Sequence, residues 1–118
     1  MSAKVFQSLV YRIKDILGCD VDITDSNGIV FASTRRNSVG EYNEAAVDFI
    51  DSNEEYAETE DAAFMKVGNR GNLDFITVIY GKIPDRKKAM ELISLSVENA
   101  RLYYEEKFDK NNFIKNVV

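Results

Sequence analysis

The dipeptide Asn27-Gly28, set between Val21-Asp22-Ile23-Thr24-Asp25 and Ile29-Val30-Phe31-Ala32, restricts what this chain can fold into more than any other short feature. The first flanking run alternates, with Val21 and Ile23 on one side and Asp22 and Thr24 on the other, and the second is rich in β-forming residues. Asn and Gly both tolerate the positive φ of a tight turn, so the segment predicts a β-hairpin. A hairpin needs an apolar partner. Upstream, Val5, Phe6, Leu9, Val10, Ile13, Ile16 and Leu17 recur at spacings of one, three and four, which predicts a helix over Ala3 to Leu17 that Gly18 can terminate.

Between Ser33 and Gly40 polar residues dominate, and from Glu41 the residues Ala45, Ala46, Phe49 and Ile50 resume helical spacing up to Asp51. Tyr56, Ala62 to Val67 and Leu73 to Tyr80 read as three further strands, the last two joined through Gly68-Asn69-Arg70-Gly71-Asn72. After Pro84, the only proline, Ala89, Leu92, Ile93, Ser96, Val97 and Ala100 form a long helical stripe reaching Tyr103 or Tyr104, and Asn111 to Val118 starts another helical segment. This order predicts an α+β fold, with an antiparallel sheet and helices packed mainly on one face. Five strands, short helices and a long terminal helix make the layout similar to PAS-like sensor folds, a likeness of architecture only.

A length of 118 residues fits one domain. With 45% hydrophobic and 30% charged residues the chain can bury a core without covalent staples. Its formal charge of −5 disfavours nucleic acid as a direct partner. Cys19 is the only cysteine and there is no histidine, which excludes an internal disulfide, a zinc site of the usual cysteine and histidine type, and serine or cysteine nucleophiles activated by histidine. No apolar run approaches the roughly 20 residues needed to span a bilayer, and the start Met1-Ser2-Ala3-Lys4 leads into an amphipathic stretch. The expectation is a cytoplasmic protein with no membrane partner.

Several chemical motifs fail on inspection. Asp22 to Gly28 superficially has the look of a calcium loop, but no start position gives both the oxygen ligands and a glycine at position six. Gly81-Lys82 lacks the other elements of a phosphate-binding loop. The acidic cluster Asp51, Glu54, Glu55, Glu58, Glu60 and Asp61 reads as a solvated connection, and Cys19 as a partly buried, inert thiol. The one suggestive constellation is Ser33-Thr34-Arg35-Arg36-Asn37-Ser38. Guanidinium forks bind carboxylates, and hydroxyls and amides suit a polyol, so a binding site built from Ser33, Arg35, Arg36, Ser38 and Asn43 is expected. The competing account is a solvated loop with two exposed arginines. No catalytic residue, cofactor or metal is expected.

At this segment the chain resembles the sugar-diacid-utilisation regulator family, in its N-terminal sugar diacid recognition domain. The resemblance rests on the opening Val5-Phe6-Gln7-Ser8, the hairpin from Ile23 to Thr34, Val39-Gly40-Glu41-Tyr42-Asn43-Glu44-Ala45-Ala46, and the tail Lys107 to Asn116. Diacid-binding members tend to carry arginine where Ser38 stands, histidine at Asn43 and glycine at Ala45, whereas Gly40, Glu44 and Ala46 keep the pattern. Their connection before the fourth strand is longer than Ala57 to Ala63. The resemblance implies a bacterial ligand-sensing domain over residues 1–108, with 109–118 starting a linker helix towards output domains outside this chain. DNA contact falls to those domains. It further implies a homodimer formed through the long helix, where Met90, Leu95 and Leu102 lie off the main stripe, and a small anionic or polyhydroxylated metabolite as ligand, with glucarate-like diacids disfavoured. A dimerisation or partner-binding module without a ligand is the alternative, and a small carboxylate enzyme the least favoured reading.

Overall fold

A computed structural model describes the backbone of residues 3–69 and 72–117, and the side chains of residues 4–35, 37–68 and 72–102. Helix α1 (Ala3–Leu17) leads into strands β1 (Val21–Asp25) and β2 (Val30–Ser33), a 3-10 turn (Arg36–Ser38) and helix α2 (Glu44–Ile50). Strands β3 (Tyr56–Glu58), β4 (Ala62–Asn69) and β5 (Asn72–Tyr80) follow, and helix α3 (Arg86–Val117) closes the order. The strands form one antiparallel sheet in the order β2-β1-β5-β4-β3, the α+β class expected.

Both faces of the sheet are covered. Phe6, Val10 and Ile13 of α1 and Met90, Ile93 and Val97 of α3 bury against Val21, Ile23, Ala63, Phe75 and Ile79. On the other face Ala46 and Phe49 of α2 bury against Phe64, Ile76 and Val78. The expectation of helices mainly on one face therefore holds for α1 and α3 only. The polar side of β1, which alternation alone assigns to water, lies under the α2 side of the molecule instead.

The hairpin forms, but by a longer turn than Asn27-Gly28 implies. The Gly28 N–H donates to the Asp25 carbonyl at 3.1 Å, Asp25 N–H donates to the Ile29 carbonyl at 2.9 Å, and within the turn only Gly28 has a positive φ, of 87°. The Asp25 carboxylate accepts from the N–H groups of Asn27 and Ile29. A Cβ on Gly28 would lie 2.5 Å from Cγ2 of Val47, so the turn packs directly on α2.

Two register shifts decide where side chains point. Pairing steps from Ile23↔Ala32 to Thr24↔Val30, which leaves Phe31 as an extra residue. Phe31 joins Ala32 on the α1 face and completes a triangle with Phe6 and Phe75, all ring centroids 5.3 Å apart. In β5 the step from Val67↔Phe75 to Gly68↔Leu73 leaves Asp74 extra. Its carboxylate accepts from Nη1 of the buried Arg101 on α3 at 2.8 Å, and Arg101 also binds Glu98.

The outer side of β2 is occupied. Gln7 of α1 donates from Nε2 to the Ser33 carbonyl at 2.6 Å and accepts from the Ser33 N–H at 3.0 Å. The Val30 N–H donates to Glu41, and the Val30 carbonyl accepts from Gly40. At the far end, α3 is one uninterrupted helix that merges the two helical segments read from the sequence. No glycine or proline falls between Arg86 and Val117 to separate them. Side chains from Tyr103 onward, and Val118, lie outside the described residues.

Candidate functional site

Asp22 is the hub of the α2 side. Pointing away from α1 and sealed at 1% side-chain exposure, it accepts four contacts. Ser33 Oγ donates to Oδ1 at 2.5 Å, and Tyr80 OH and Arg35 Nη2 donate to Oδ2 at 2.7 and 3.0 Å. Asn43 Nδ2 makes a longer contact of 3.4 Å to Oδ2 and a closer one of 2.9 Å to the Tyr80 hydroxyl. A buried carboxylate is tolerated only when paired and hydrogen-bonded to this degree.

Each partner is itself fixed. Ser33 follows the β2 register shift, is fully buried, and its Oγ also accepts from the Arg35 N–H at 2.8 Å. Asn43 caps α2, its Oδ1 accepting from the Ala46 N–H at 3.0 Å, which starts the helix at Glu44 rather than Glu41. The Arg35 guanidinium lies 4.1 Å from the centroid of the Tyr80 ring. Thr34 donates to Asp20 at 2.8 Å and accepts from the Val21 N–H, which pins the start of the arginine segment to β1. Hydrogen bonds from Lys14 and Thr34 hold the Asp20 carboxyl below its ordinary range.

Above this hub is an open cleft of about 350 Å³ lined by Asp22, Arg35, Ser38, Asn43 and Tyr80, with Glu41, Tyr42 and Glu44 around its mouth. Of the five residues expected from the sequence, Ser33, Arg35 and Asn43 converge on Asp22, and Ser38 lines the cleft. Arg36 belongs to the 3-10 turn, but its side chain lies outside the described residues. Asp22, Tyr80, Glu41 and Glu44 are additional. Asp22 had one visible signal, an acidic residue in a strand flanked by strong β-formers; Tyr80 had none, because only the sheet order brings β5 beside β1.

The chemistry on offer is recognition. Burial, then the hydrogen bond and charge of Asp22, push the Tyr80 phenol well above its ordinary value, so it stays a protonated donor at neutral pH. Burial opposes the charge on Arg35, but Asp22 and Tyr80 outweigh it and the guanidinium is held charged. Burial likewise keeps the Cys19 thiol protonated. Among the described residues no group of three or more His, Cys, Asp and Glu is placed to hold a metal ion, and no helix is long and apolar enough to cross a membrane.

A second cleft, of about 330 Å³, lies beyond the other end of α2 between Ile50, Ser52, Lys66 and Leu73. Lys66 donates from its ammonium to the Ser52 carbonyl and lies 5.0 Å from the Phe49 ring, which ties the loop after α2 to the sheet.

Comparison with known families matches residues 1–79 to the one described as "Putative sugar diacid recognition". The match takes in Asp22, Ser33, Arg35 and Asn43 and stops one residue before Tyr80. No curated protein and no solved structure matches the chain. The matched span covers all of the sheet but the final residue of β5, so this chain belongs to the sugar diacid recognition family of regulator domains.

Proposed function

We propose that the domain is the sensory part of a bacterial transcription regulator and takes up a small anionic or polyhydroxylated metabolite in the cleft above Asp22. The observation that carries this reading is the state of Arg35. Its side chain is 45% exposed at the cleft, yet it is braced from behind by Asp22 and the Tyr80 ring, and among the described residues only its Nη2 is engaged in a side-chain hydrogen bond. A donor fork held by packing and a buried counter-charge loses little freedom on binding a ligand. Ser38 adds a hydroxyl, while Ser33 and Asn43 act by holding Asp22 and the start of α2. The sheet order and its covering helices support a PAS-like reading, and the free, unreactive Cys19 fits a cytoplasmic setting.

Losing one charge-assisted hydrogen bond typically costs about 1.5–3 kcal/mol, or roughly ten- to a hundredfold in affinity. Arg35→Ala is expected to weaken a ligand by that factor in calorimetry against sugar acids, dicarboxylates and neutral sugars. Arg35→Lys, which keeps a cation beside Asp22, separates loss of contact from damage to the fold, followed by thermal unfolding. A ligand whose affinity neither substitution changes would place the site elsewhere.

Output requires the ligand to bind two conformations unequally, and α3 is the element that leaves the domain. DNA contact then belongs to other domains of such a regulator. A homodimer through α3 is supported by Leu92, Leu95 and Leu102, which are 67, 56 and 46% exposed; Met90, expected on the exposed strip, is instead fully buried against the sheet, and Leu92, expected on the main stripe, stands outside it. The same strip favours the alternative, a dimerisation module without a ligand. Leu95→Asp is expected to convert a dimer to a monomer in sedimentation equilibrium with the unfolding transition unchanged; a wild-type chain that stays monomeric at high concentration removes this part of the proposal.

A further inference from the structure

Helix α3 has two unlike faces. Met90, Ile93, Ser94, Val97 and Arg101 are buried on the side turned to the sheet. On the opposite side Leu92, Leu95, Asn99 and Leu102 are all exposed, at spacings of three, four and three. Those are the spacings of a heptad seam, and the buried residues of the helix fall on the heptad positions farthest from it. In the same spacing Lys88 precedes the seam and Glu106 follows it, so its apolar part is confined to these four positions. A cleft of about 380 Å³ between α1 and α3, lined by Ile13, Ile16, Leu17, Leu92 and Ile93, adjoins the seam and extends the apolar area onto α1.

The composition of the seam selects its partner. Leu92 and Asn99 take the first core position of successive heptads, and Leu95 and Leu102 take the second. A single Asn at the first position, with Leu at the second, fixes register in a parallel pair of helices. Its amide is both donor and acceptor, so it is satisfied by the same amide of a second copy. An antiparallel pair that matched Leu92 with Leu102 would set Asn99 against Leu95 and leave the amide unpaired in an apolar layer. Charge favours the same direction. Glu91 and Glu98 flank the seam on one side, Glu98 also accepting from Arg101, while on the other side α1 brings Lys4 and Arg12 beside Ala100. In a parallel pair the acidic flank of each helix lies over the α1 side of the other copy, whereas in an antiparallel pair acidic flank meets acidic flank.

We infer that Leu92, Leu95, Asn99 and Leu102 form the seam of a parallel, in-register coiled coil with a second copy of this chain, and that Asn99 sets its register. The inference rests on the reading of α3 as a homodimer surface and gives that surface its geometry. Both copies of α3, which runs on from Arg101 to Val117, then leave the pair in one direction.

The test is sedimentation equilibrium and thiol cross-linking on the whole 118-residue chain. Asn99 is exposed, so its substitutions should leave the unfolding temperature of the domain unchanged. Asn99→Leu is expected to tighten the dimer at least about tenfold, because the polar layer is held at a cost in stability. Asn99→Asp, which sets two carboxylates face to face, should weaken it about tenfold or more at neutral pH. Asn99→Cys should give a covalent dimer in a glutathione redox buffer, with wild type, whose lone Cys19 is buried, as the control. A dimer that ignores the Leu and Asp substitutions, or that forms no covalent species through Asn99→Cys, overturns the parallel seam while leaving the homodimer. A wild-type chain that stays monomeric at high concentration removes the homodimer reading and the seam together.

Discussion

Replacing Asp22 with alanine is expected to lower the stability of the domain by about 2–4 kcal/mol. The carboxylate is the common acceptor for Ser33, Tyr80 and Arg35, and none has a second acceptor of equal quality at that position. Arg35 can turn outward, because its side chain is already half exposed, so its charge is re-solvated and the full cost of an orphaned buried ion does not apply. The Ser33 hydroxyl and the Tyr80 phenol stay behind, and each unsatisfied buried donor costs about 1–3 kcal/mol. Tyr80→Phe removes one of four donors and should cost only about 1 kcal/mol. Urea unfolding of the two single variants and the double variant measures the coupling, and an Asp22→Ala variant within 1 kcal/mol of wild type would show that the hub does not hold the arginine segment on the sheet. The phenol adds a pH signature. Its pKa is raised in the folded state, so its share of stability is intact below the ordinary tyrosine value of 10.0 and is lost as pH rises from there, a loss that Tyr80→Phe should not show.

Phe6→Ala is expected to have the largest effect of any single truncation in α1, about 3–5 kcal/mol. Phe6 is fully buried, and its ring meets Phe31 and Phe75 at 5.3 Å each, so its removal leaves a cavity that two other rings and a β-sheet cannot readily fill. The adjoining Gln7 holds the Ser33 backbone, and a loosened α1 would release that contact as well. Phe6→Leu should recover roughly half of the loss, since it restores much of the volume but none of the aromatic contact. A denaturation midpoint for Phe6→Ala close to that of wild type would mean that α1 is a detachable appendage.

The helices and strands were largely legible because each has a strong period. Ala3 to Leu17, Ala62 onward, Leu73 to Tyr80 and the start of the last helix fall where the apolar spacing places them. The departures arise where one residue breaks the period. In Val30-Phe31-Ala32 all three positions are apolar, so the extra residue at Phe31 leaves no trace in the pattern; at Asp74 the shift puts a charged residue on an apolar face, where only the partner Arg101, 27 positions later, explains it. The cleft was half visible. Ser33, Arg35 and Asn43 drew attention as polar residues in a loop, but the residue that organises them reads in sequence as the solvent side of a strand. Asp22 is buried because β1 lies inside the sheet between β2 and β5 and α2 covers that face, and neither fact is local.

The occupied outer side of β2 has a bearing on how copies of this domain can meet. An open sheet ordinarily offers two unpaired edges for strand addition, the usual route to fibrous aggregation. Here the Gln7 amide and the Gly40–Glu41 backbone take up the hydrogen-bonding groups of β2 at Ser33 and Val30. The opposite edge, β3, is only three residues long and is bordered by Glu54, Glu55, Glu60 and Asp61, whose charges repel an incoming strand. Lateral growth of the sheet therefore meets hydrogen-bonding groups already engaged at one margin and a short, charged strand at the other.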